Sequence, residues 1–153
     1  MAHTPTQKWR QAVNIQPTVN PPLPERRRIN TGAIITRAAA IIERNGLNQG
    51  GFVEAAPADS DVPRNLAYRR VCAAGAIRLA TSGNPEEDCP AARAAIRLLS
   101  ELLPGDAPTD DQTGDVAYVE HVARWNDAEG RTTAEVASVL RQLALRTVLE
   151  VAA

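Results

Sequence analysis

Aromatic residues make up only 3% of this 153-residue chain: two Trp, two Tyr and one Phe. Any core must therefore be aliphatic and closely spaced, and 27 alanines supply the small residues for it. Cysteine occurs twice, at Cys72 and Cys89, without close metal-ligand spacing. That fits a reducing compartment better than a disulfide scaffold. Net charge is nearly absent, at −1, which excludes a globally basic nucleic-acid binder and a strongly acidic tail. No run approaches 18 apolar residues, and no basic-then-apolar signal opens the chain, so a soluble, cytoplasmic protein with no membrane association is expected. Lysine occurs once, at Lys8, against 16 arginines. Codon bias in a GC-rich genome produces this without selection on chemistry, so the arginine count is not read as a phosphate-binding signal.

Charge is distributed unevenly. Residues 1–29 hold five of the 11 prolines and a balance of +4, whereas residues 30–153 carry −5. The chain divides accordingly into an extended, Pro-rich basic arm (1–29) and a helical domain (30–153). Within the arm, Thr4-Pro5 is a helix-start signal that would put Trp9, Ala12 and Val13 on one face. Pro17 and Pro21-Pro22-Leu23-Pro24 then favour a polyproline-like path. Pro21–Arg26 also fits a P-x-x-P-x-R ligand pattern, a short match that arises readily by chance. Arg26, Arg27 and Arg28 form a cationic run able to meet phosphates, although such a run is usually a solvated stretch before a helix.

Five amphipathic segments follow. The first runs from about Thr31 to Arg44, capped by Asn30 or Thr31 and stopped at Asn45-Gly46, with Ile34, Ile35, Ala38, Ile41 and Ile42 in one stripe. Residues 47–60 read as loop, because a short strand at Gly51–Ala55 would lack a pairing partner. The second segment, about Pro63 to Ala80, repeats Tyr68, Val71, Cys72, Gly75, Ala76 and Leu79 at helical spacing and reads as the central helix. Gly75 inside it points to close approach of a neighbouring helix. The third starts at Asp88 as cap, with Pro90 in its first turn, and stops at Pro104-Gly105. The fourth covers about Val116 to Trp125, with His121 at the edge of its apolar arc. The fifth opens on a Thr132/Glu135 capping box, carries Val136, Val139, Leu140 and Leu143 inward, and is expected to fray from Leu149 onward. The fold class is all-α: a single compact bundle of about five helices with an extended N-terminal arm.

Three stretches together resemble an uncharacterised family of small helical proteins from actinobacteria and their bacteriophages. They are Ile41–Gly50, Val71–Arg78 with its C-x-x-G-A-I pattern, and Trp125–Val136 with W-N-D-x-x-G-R-T-x-x-E-V. The resemblance covers about residues 31–144 and brings no activity, ligand or cofactor with it.

Candidate chemistry is sparse. Cys72 is the natural nucleophile, with His121 as base and Asp127 or Asn126 completing a Cys-His-Asp arrangement for a small hydrolase or transferase. Placed two turns inside a helix and in mid-stripe, however, Cys72 reads better as a core cysteine. His121 has only His3 as a second histidine, so no metal site is expected. The acidic loop with Asp106, Asp110, Asp111 and Asp115 lacks a calcium-loop register. Trp125-Asn126-Asp127 reads as a turn in which Asn126 tolerates the left-handed conformation and Asp127 pairs with Arg131. The alternative is a binding surface of Gln49, Asn126 and Asp127. The expected function is a non-catalytic accessory or interaction protein. Its arm, through Trp9 and Arg26–Arg28, docks on a protein partner in an actinophage or actinobacterial assembly. The other two readings are the cysteine enzyme and nucleic-acid contact through Arg26–Arg28. No cofactor is implied, and oligomeric state is left open.

Overall fold

The computed structural model describes residues 30–56, 65–109 and 114–153. The arm, with Trp9 and Arg26–Arg28, lies outside the described residues, as do Asp110 and Asp111. Among the described residues five α-helices form the bundle: α1 (Thr31–Asn45), α2 (Ala73–Ser82), α3 (Pro90–Leu102), α4 (Asp115–Asn126) and α5 (Thr133–Ala152). The all-α expectation holds.

Helix α1 starts and stops as its sequence dictates. The Asn30 side chain accepts a hydrogen bond from the Ala33 N–H, relieving one of the donors left free at a helix start. Gly46 takes φ 91°, open to a residue without Cβ, and returns its N–H to the Ile42 carbonyl. Ile34, Ile35, Ala38, Ala39 and Ile42 are buried. The most extensive packing of α1 is against α5, and the next is against α2.

Helix α5 carries the predicted capping box. Thr132 Oγ1 accepts from the Glu135 N–H, while Glu135 accepts from the Thr132 N–H at 2.8 Å. The Thr132 N–H and the Thr132 hydroxyl, both donating to Glu135 Oε2, hold the Glu135 carboxyl below its usual pKa. Helix α5 continues past Leu149 to Ala152.

The second segment departs from expectation. Helix α2 begins at Ala73, not near Pro63, and the chain before it makes a single 3-10 turn at Leu66–Tyr68 and then extends. Tyr68 is exposed rather than part of an inward stripe. Val71 bridges Leu47 in parallel and Val53 in antiparallel sense. Its carbonyl accepts from the Asn48 N–H, and the flanking Cys72 N–H donates to the Phe52 carbonyl. The loop at 51–55 thus has a pairing partner after all, one concealed by the helical spacing of Val71. Spacings of three and four record which residues are apolar, not which backbone groups find distant partners.

Helix α2 is nevertheless central: Ala73, Ala74, Gly75, Ala76, Ile77 and Leu79 are all buried. Gly75 is there because a backbone comes close, but the neighbour is the Phe52 carbonyl and not another helix. A Cβ on Gly75 would overlap that oxygen. At the start of α3 the cap position belongs to Cys89, whose side chain makes no capping bond; Asp88 instead pairs with Arg93 at 2.7 Å. Pro90 holds the first helical position, where its missing N–H costs nothing. No described helix is long and apolar enough to cross a membrane.

Candidate functional site

Four of the residues singled out, Gln49, Cys72, Asn126 and Asp127, meet at one polar junction at the start of α2, and His121 does not join them. Asn126 is its centre. It is the last residue of α4, helical rather than left-handed, and fully buried; no described non-glycine residue has positive φ. A buried carboxamide must satisfy both of its ends or destabilise the fold. Its Oδ1 accepts from the Ala73 N–H at 3.0 Å, one of the free donors of α2. Its Nδ2 donates to the Asn48 carbonyl at 3.0 Å and to Asp127 Oδ1 at 2.9 Å.

Two side chains extend the junction. Asp127 Oδ1 also accepts from the Gly50 N–H at 3.1 Å, so it faces the 47–50 loop. Arg131, its expected partner, lies over the Trp125 ring, donates to the Trp125 carbonyl and reaches Glu135 at 3.9 Å. Gln49 Nε2 donates to the carbonyls of Asn126 and Ala128. The Leu47 N–H donates to Thr133 Oγ1. All three stretches that carry the family resemblance therefore converge, and their polar side chains bond main chain across the gaps between elements.

Cys72 belongs to the same region. It caps α2 instead of lying two turns inside it, and its sulfur accepts from the Gly75 N–H at 3.3 Å. A helix N-terminus ordinarily favours a thiolate. Here burial dominates and pushes the thiol pKa up. The Gly75 and Ala74 N–H groups act against that rise, while the Asp127 carboxylate adds to it. The side chain is a capping thiol, poorly suited to nucleophilic attack.

His121 faces elsewhere and is buried, not at the edge of an apolar arc. Its Nδ1 lies 2.6 Å from Ser100 Oγ and its Nε2 lies 3.2 Å from the Pro104 carbonyl. A carbonyl only accepts, so Nε2 carries the proton and Nδ1 receives the Ser100 hydroxyl. Both ring nitrogens are occupied, and no hydrogen bond joins His121 to Cys72. Ser100 was the residue missed. Its signal was present: a serine at the inward position between Ile96 and Leu103 needs a buried partner.

The remaining notable group is Arg78, buried under the Phe52 ring at 4.2 Å and 3.8 Å from Asp88. No group of three or more His, Cys, Asp or Glu among the described residues is arranged to hold a metal ion.

What these contacts define is a small helical protein whose signature residues tie loops to helix ends. The chain belongs to DUF6197, a family of unknown function whose model matches residues 26–146. No curated protein and no solved structure matches it.

Proposed function

We propose that this protein is a non-catalytic accessory or interaction protein whose arm, residues 1–29, docks on a protein partner, within an actinobacterial or actinophage assembly. One observation carries the reading: Gln49, Cys72, His121, Asn126 and Asp127 each bond groups within the fold, most of them main chain. The positions of Gln49, Cys72, Asn126 and Asp127 follow from holding the 47–50 loop, α2 and the α4–α5 turn together, and that of His121 from joining Ser100 to the Pro104 carbonyl. The arm is then the element left to act, and its +4 charge suits an acidic partner surface.

The cysteine-enzyme reading is disfavoured by the raised thiol pKa and by the ring partners of His121. The test is the native mass of the assembly recovered from the source cell. Full-length protein should run in a complex, and R26A/R27A/R28A or a chain beginning at Asn30 should run alone. An assembly of unchanged mass with either variant overturns the reading.

A further inference from the structure

Helices α1 and α5 leave a groove of about 540 Å³ where the first turn of α1 meets the last turns of α5. Asn30, Gly32, Leu98, Val148, Glu150 and Val151 line it. Val148 is 57% and Val151 89% exposed, so the apolar wall is uncovered by any described residue. A second hollow shares Leu98 and Glu150 with the first and continues along the α3–α5 seam to Glu101, Leu102 and Arg146.

We propose that this seam is the docking surface for the chain's own residues 19–29. The first argument is where the groove begins. Asn30 is both a lining residue and the point where the arm leaves the helical domain, so Ile29 and its predecessors start at the groove edge. The seven residue steps from Leu23 to Asn30 reach about 22 Å in a polyproline-like path. The run from Val151 back to Leu143 along α5 is about 12 Å, so the segment is long enough to span the seam.

Charge is the second argument. Arg26, Arg27 and Arg28 would pass the stretch bearing Glu150; Glu101 beyond it is already paired with Arg97 at 3.3 Å, and Arg146 is the one basic residue lining the seam. Glu150 has no partner among the described residues.

Pro21, Pro22 and Pro24 also lower the entropy lost when the segment is laid down.

The proposal goes beyond the partner reading, and its test needs no partner, so either can fail alone. The purified full chain carries C89S with L23C and R146C, leaving Cys72 buried. Under mild copper-phenanthroline oxidation at low protein concentration, a 23–146 disulfide forms within the monomer. Adding R26E/R27E/R28E slows it about tenfold, the effect of losing a little over 1 kcal/mol of pairing. Salt at 1 M slows the unreversed chain comparably. Equal rates with and without charge reversal mean tethering alone and overturn the proposal. Cross-linked dimers in place of monomers overturn it too, since the occupant would then be the arm of a second copy. All these positions are exposed or in the arm except half-buried Cys89, and a C89S chain with unchanged circular dichroism serves as the fold reference.

Discussion

The Asn126 side-chain oxygen accepts a hydrogen bond from the Ala73 N–H, 3.0 Å away and 53 residues earlier in the chain. One buried carboxamide thus supplies a capping acceptor for α2 from the end of α4, and its nitrogen holds the 47–50 loop in place. The C-terminal end of one helix and the N-terminal end of another are locked by a single side chain.

Asn126→Ala is expected to destabilise the protein by about 3 kcal/mol, because it strands the Ala73 N–H and the Asn48 carbonyl in the interior. Asn126→Asp should be no better. It keeps the acceptor but sets a carboxylate beside Asp127 and loses both donated bonds. Urea unfolding followed by circular dichroism measures both, and a loss under 1 kcal/mol for the alanine variant would show that water replaces the carboxamide.

Gly75→Ala tests the close approach. Alanine is the better helix former by about 1 kcal/mol, so an open position would be stabilised. Overlap with the Phe52 carbonyl predicts the reverse, a net loss of about 2 kcal/mol. The sign of the change in the unfolding midpoint decides between them.

The Cys72 thiol should resist labelling in the native state, with half-buried Cys89 reacting first. Its folded-state pKa is raised, so the unfolded chain ionises at lower pH than the folded one. The stability it contributes is complete below the ordinary thiol pKa of about 8.5 and lost as pH rises through the folded value. Cys72→Ala should flatten the alkaline fall in unfolding midpoint. A fall of the same slope in both proteins would assign it to other groups.

Ser100→Ala leaves His121 Nδ1 buried without a donor and should cost about 1–2 kcal/mol. The double variant Ser100→Ala/His121→Phe removes both partners. It should lose less than the sum of the single changes, and additive losses in denaturant melts would contradict a coupled pair.

Local signals were legible wherever a residue acts on its own neighbours. Asn30 caps α1, Thr132 and Glu135 box the start of α5, and Gly46 ends α1, each within four residues. The aliphatic stripe of Ile34, Ile35, Ala38 and Ile42 and the paucity of aromatics were enough to predict an alanine-rich helical bundle. Those choices are short-range, and a sequence of 153 residues states them directly.

Val71, Cys72 and Asn126 were decided by tertiary structure alone. The spacing of Val71 suits a helix, yet two loops pair with its backbone, and α2 starts two residues later at Ala73. Cys72 thereby moves from a helix interior to a cap, and Asn126 from a turn to the buried end of a helix. Each outcome depends on hydrogen bonds between residues tens of positions apart. Side-chain periodicity carries no record of them, because it reports which faces avoid water and not where backbone donors and acceptors are satisfied.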